Sequence, residues 1–97
     1  MKIELYQSGG FAGQRLKLKE LQTETCSPEE QKTINRLINE SGFFKLDQAA
    51  LASQAIGADM LEYEIGIDDN TAITSLRFVK SDSTKKLNAL LEYILSL

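Results

Sequence analysis

The residues with the most distinctive types and spacing are Ser8-Gly9-Gly10-Phe11-Ala12-Gly13. Three glycines within five positions demand backbone angles that other residues resist, so this stretch reads as a loop. A Gly-rich loop after a strand can cradle phosphate when a helix N-terminus and a Lys-Ser/Thr pair follow it. Here the alternation of a second strand follows and the Lys-Ser/Thr pair is missing, so nucleotide chemistry is not supported. The plain reading is a hairpin connection that uses glycine for positive φ and tucks Phe11 into the core.

The other candidate chemistry is thin. The chain has no His, which removes Ser-His and Cys-His pairs and His-based zinc sites. Cys26, the single thiol, stands just before a helix start whose positive dipole end could lower its pKa. It has no base and no resolving thiol, so an inert Cys is the favoured reading. Asp59, Glu62, Glu64, Asp68 and Asp69 form an acidic stretch. Asp68-Asp69-Asn70 lacks the further oxygen ligands of a calcium loop, and the stretch reads as a solvated strand face and a turn. Arg15, Lys17 and Lys19 alternate into a short basic ridge, with Glu4, Glu62 and Glu64 expected on the same open sheet face. Cross-strand ion pairs explain that ridge, and a mixed-charge partner surface is the alternative.

Composition sets the frame for these residues. The chain has 97 residues, 42% of them hydrophobic and 26% charged, which fits one globular domain spanning residues 1–97. Eleven basic against fourteen acidic residues give a net charge of −3, the wrong sign for a nucleic-acid binder. One Cys cannot form an internal disulfide. No apolar run approaches the roughly 20 residues that cross a bilayer, and the alternating N-terminus is unlike a signal peptide. A cytoplasmic protein with no nucleic-acid or membrane partner is expected.

The elements that must position the loop follow from periodicity. Ile3 and Leu5 alternate with Lys2, Glu4 and Tyr6, the pattern of a half-buried strand. Residues 14–24 resume the alternation through Leu16 and Leu18, and Leu21 falls out of phase, which predicts a bulge near Lys19-Glu20. Ser27-Pro28-Glu29-Glu30 spells a capping box with proline at the first helical position. Ile34, Leu37 and Ile38 supply the apolar face, and Gly42 ends the helix. Phe43, Phe44 and Leu46 are expected to cover the core as the chain leaves. Residues 47–58, rich in Ala, read as a short helix or an ordered loop. Leu61, Tyr63, Ile65 and Ile67 alternate as a third strand. Residues 71–80 form its partner, with Leu76 and Phe78 inward and a bulge possible because Ile73 and Val79 take the other phase. Ser81-Asp82-Ser83 offers caps for a last helix striped by Leu87, Leu90, Leu91 and Ile94, with Leu95 and Leu97 partly off the stripe and available for a dimer contact. The order ββαββα predicts an α+β fold, a four-stranded mainly antiparallel sheet with both helices on one face.

This layout resembles the emfourin family. The resemblance rests on the Ser8–Gly13 hexapeptide after a short strand, Pro28-Glu29-Glu30 opening the helix that reaches Leu37-Ile38, and the exit Ser41-Gly42-Phe43-Phe44-Lys45-Leu46. It continues through Ala58-Asp59-Met60-Leu61-Glu62-Tyr63-Glu64-Ile65 to the Leu-rich final helix. It covers nearly the whole chain, and the hexapeptide is its most specific part. The Ala-rich stretch after Phe44, in place of a Pro-containing loop, and the Thr71–Ser81 stretch, which lacks acidic residues, depart from the family pattern. The resemblance implies a bacterial, non-enzymatic protein inhibitor of thermolysin-like, protealysin-type zinc metallopeptidases, with no cofactor or metal of its own.

On that reading the partner is a thermolysin-like metallopeptidase, and the inhibitor is a monomer or weak dimer. Ser8, Gly9, Gly10, Phe11, Ala12 and Gly13 form the protein-binding loop. It enters the active-site cleft, the glycines allow close approach, and Phe11 fills an apolar subsite. The alternative is a non-catalytic regulatory or adaptor module that binds a partner through the open sheet face. An enzyme is disfavoured, since only Asp, Glu, Lys or Tyr would be left to do chemistry.

Overall fold

The computed structural model describes residues 1–9, 15–48 and 61–97. Gly10, Phe11, Ala12 and Gly13, and the short helix or loop expected within 47–58, lie outside the described residues except at Asp47 and Gln48. Strands β1 (Lys2–Ser8), β2 (Leu16–Gln22), β3 (Glu62–Asp68) and β4 (Ile73–Phe78) form one antiparallel sheet in the order β2-β1-β3-β4. Helices α1 (Pro28–Ser41) and α2 (Lys85–Leu95) complete the ββαββα order expected from periodicity.

The strand alternation separates the two faces. Ile3 and Leu5 of β1 sit opposite Ile67 and Ile65 of β3, and all four are fully buried. Leu76 and Phe78 extend this face on β4. Ile34 and Ile38 of α1 and Leu87, Leu90, Leu91 and Ile94 of α2 pack into the same cluster. Both helices therefore cover one face, and among the described residues the other carries mostly polar side chains, with Ile73 exposed at its edge. Leu95 is partly exposed, whereas Leu97 packs against the core.

Local signals explain α1 closely. Ser27 Oγ accepts from the Glu30 N–H at 3.1 Å, and Glu30 Oε1 accepts from the Ser27 N–H at 2.9 Å. Two of the unpaired donors at the helix start are satisfied in this way. At the other end Gly42 adopts φ 65° and ψ 30°, and its N–H reaches the carbonyls of Ile38 and Asn39. A side chain resists that left-handed conformation, which is why glycine stands there.

Five expectations need correction. The bulge lies at Leu18, earlier than Lys19-Glu20: Leu5 pairs with Lys19 and Tyr6 with Lys17, so Leu18 has no partner. Lys19 is thereby turned to the helix side, where it donates to the main-chain oxygen of Leu97, and it does not join the ridge of Arg15 and Lys17. The β3–β4 ladder runs without a bulge, and Ile73 simply stands exposed on the outer strand. After Gly42, only Phe43 is buried. The 3-10 turn Phe43–Lys45 rotates Phe44 outward, to 51% exposure, with its ring edge-on to Phe43, and Leu46 is also exposed. The helix α2 begins one turn later than its expected caps. Ser81 opens the 3-10 turn Asp82–Thr84, and its N–H donates to buried Thr84 Oγ1 at 2.9 Å.

Candidate functional site

The Gly-rich loop leaves β1 at Ser8 and returns at Arg15. Of the six expected contact residues, Ser8 and Gly9 are described, and Gly10, Phe11, Ala12 and Gly13 are not. Ser8 closes β1 opposite Glu62 of β3. Gly9 has φ 109°, the positive angle that the glycine pattern implied.

The returning stem is anchored by side chains from three strands. The Arg15 guanidinium lies 3.7 Å from the centroid of the Tyr6 ring, close enough for a cation–π contact. Its Nη2 donates to Glu64 Oε2 at 2.8 Å. Glu64 stands directly opposite Tyr6 in the β1–β3 register, so one arginine spans both residues of that pair. The Tyr6 hydroxyl in turn donates to Glu4 Oε2 at 2.7 Å, and Lys17 Nζ lies 3.0 Å from the same oxygen. Lys17 also bonds Glu20, and Lys2 sits 3.7 Å from both Glu4 and Glu20.

This strip sets the local electrostatics. The Tyr6 hydroxyl bond and the Lys17 ammonium hold the Glu4 carboxyl below its ordinary pKa. The same bond to Glu4 raises the Tyr6 phenol. The Lys17 ammonium is raised by its bonds to Glu20 and Glu4. The expected ion pairing of Arg15 and Lys17 with Glu4 and Glu64 is therefore present, and it braces the base of the loop.

The remainder of the open face beside the stem is concave. Ser8, Arg15, Gln48, Glu64, Ser75 and Arg77 line a cleft of about 610 Å3. Gly66 pairs with Ser75 on the neighbouring strand, and a Cβ on it would lie 3.2 Å from Ser75 Oγ. Gln48 fastens the outer edge of β4. Its amide donates to the Arg77 carbonyl at 3.0 Å, and its oxygen accepts from the Arg77 N–H at 2.7 Å. Sequence reading missed this cleft. Alternation does put Ser75 and Arg77 on one strand face, but their neighbours depend on the register across β3.

The other candidates resolve plainly. Desolvation, with Glu30 and Glu24 nearby, pushes the Cys26 thiol up, opposite to the lowering that a helix dipole would give. That thiol is disfavoured as a nucleophile. The acidic turn serves itself: Asp69 Oδ1 accepts from the Thr71 hydroxyl at 2.6 Å and from the N–H groups of Thr71 and Ala72 at 2.9 Å. Among the described residues, no three His, Cys, Asp or Glu side chains gather where they could hold a metal ion. No helix among them is long and apolar enough to cross a membrane.

Compared with known families, the chain matches the emfourin model over residues 5–95, which takes in the second half of β1, the loop, β2 and both helices. No curated protein and no solved structure matches it.

Proposed function

Since this chain belongs to the emfourin family, whose general role is metallopeptidase inhibition, we propose that it inhibits a thermolysin-like zinc metallopeptidase by placing residues 8–13 in the active-site cleft. The observation that carries this reading is the family match across residues 5–95. The zinc belongs to the target. The inhibitor contributes shape.

The geometry of the stem supports the reading. A loop that blocks a protease without being consumed must hold its peptide bonds away from attack geometry. It must also spend little conformational entropy on binding. The Arg15–Tyr6–Glu64 anchor and the adjoining Glu4–Lys17 pair restrain the returning stem from one side of the sheet. Gly9, Gly10 and Gly13 let the backbone approach the cleft closely. Phe11 supplies an apolar side chain for a subsite that prefers a bulky residue. The protein acts in the cytoplasm as a folded body, without catalysis of its own.

Titration of thermolysin with the protein, following hydrolysis of a small peptide substrate, tests this reading. Activity should fall in proportion to added protein and vanish near equivalence. Undiminished hydrolysis at large excess, with thermolysin and several related peptidases, would contradict it.

A further inference from the structure

Glu64 has two arginines within its surroundings and binds only one. Arg77 is its direct cross-strand neighbour on β4, yet the Glu64 carboxylate is committed to Arg15. Among the described residues the Arg77 guanidinium has no hydrogen-bond or ion-pair partner, although its main chain is fixed on both sides by Gln48. The hydroxyls of Ser8 and Ser75 line the same cleft and are likewise unpartnered among the described residues. Three sets of donors thus face one concavity in which the one carboxylate among the described lining residues, that of Glu64, is already satisfied.

We infer that this cleft is a second contact site of the inhibitor, in which Arg77, with Ser75 and Ser8, receives an Asp or Glu carboxylate from the surface of the bound peptidase. The proposal rests on the inhibitor reading and adds a charge-specific contact to it. Among the described lining residues, Arg15, Arg77 and Glu64 sum to +1, which one carboxylate neutralises and a phosphate dianion would overcompensate. The planar guanidinium fork matches a carboxylate in two parallel hydrogen bonds. Placement favours a macromolecular source, because Ser8 and Arg15 are both a wall of the cleft and the stem of the loop. A protein that covers the stem at Ser8 and Arg15 also reaches this cleft.

Inhibition constants against thermolysin for the wild type, Arg77→Gln, Arg77→Glu and Ser75→Ala, at low and high ionic strength, test the inference. Thermal unfolding of each variant reports folding. Arg77 is exposed and its strand is fastened through main-chain atoms, so unchanged unfolding is expected. Arg77→Gln should weaken inhibition about tenfold, the loss of one charge-assisted contact. Arg77→Glu should weaken it about a hundredfold through like-charge repulsion. The wild type should lose affinity with salt more steeply than Arg77→Gln. Equal inhibition by wild type and a folded Arg77→Glu would overturn the inference and leave the inhibitor reading standing. A wild type that inhibits nothing would overturn both.

Discussion

Arg15 and Glu64 meet at 2.8 Å across 49 positions of sequence, and the same guanidinium rests 3.7 Å from the centre of the Tyr6 ring. This contact ties the returning stem of the Gly-rich loop to the central strands β1 and β3. An exposed ion pair adds little to global stability, and a cation–π contact at the surface adds about 0.5–1 kcal/mol. On the inhibitor reading proposed above, the arrangement serves by holding the stem of the loop in place before binding.

Replacement of Arg15 by Ala should therefore cost only about 1 kcal/mol in urea unfolding. It should weaken peptidase inhibition about tenfold, because the loop must then be ordered on binding. Arg15→Lys keeps the charge but loses the planar stack and fork, so it should restore little of the inhibition. Full inhibition by Arg15→Ala would show that the anchor has no part in binding.

Phe11 divides the two readings of the loop. As an anchor in the peptidase cleft, Phe11→Ala should weaken binding by about 2 kcal/mol or more while leaving the unfolding midpoint in urea nearly unchanged. A core Phe11 would give the reverse, a loss of several kcal/mol of stability. Paired denaturation and inhibition curves separate the outcomes.

The termini of α1 give a test of the fold itself. Ser27→Ala removes one half of the capping box and should destabilise the protein by about 1 kcal/mol. Gly42→Ala meets no atom within 4 Å, so its cost comes from the left-handed backbone alone, about 1 kcal/mol. Urea midpoints with unchanged slopes check both values. A neutral Ser27→Ala would contradict the cap.

These termini were also the most legible part of the sequence, because their signals are local. Ser27, Pro28, Glu30 and Gly42 act on neighbours within one turn, and α1 starts and stops where they place it. Strand alternation was equally readable, and with it the α+β class and the sheet's two faces. Features that depend on a distant partner were less readable. The bulge at Leu18 follows from how β2 meets β1, and it alone turns Lys19 from the open face to the helix side. Phe43 and Phe44 are adjacent and chemically alike, yet only the 3-10 turn decides which is buried. The choice of Glu64 between Arg15 and Arg77 requires the register of three strands, so the cleft had no sequence signature.

The turn between β3 and β4 carries a pH dependence of defined sign. The Thr71 hydroxyl, with the N–H groups of Ala72 and Thr71, lowers the Asp69 pKa from 3.8 to about 2. A carboxyl lowered on folding stabilises the native state fully above its unfolded value. That contribution is lost as pH falls through the folded value. The window for Asp69 therefore runs from 3.8 down to about 2. Carboxyl-carbon NMR should show Asp69 titrating at the bottom of this window, and Asp69→Ala should remove its share of the acid-side decline in stability. A normal Asp69 titration would contradict the turn geometry.

Occlusion of the peptidase cleft is the central claim, and competition measures it most directly. Binding of the protein to thermolysin should be followed by calorimetry with the cleft free and with the cleft filled by a tight small-molecule active-site inhibitor. Tight binding to the free enzyme, abolished when the cleft is filled, is the predicted result. Equal binding to both forms would place the protein elsewhere on the enzyme and contradict the role assigned to residues 8–13.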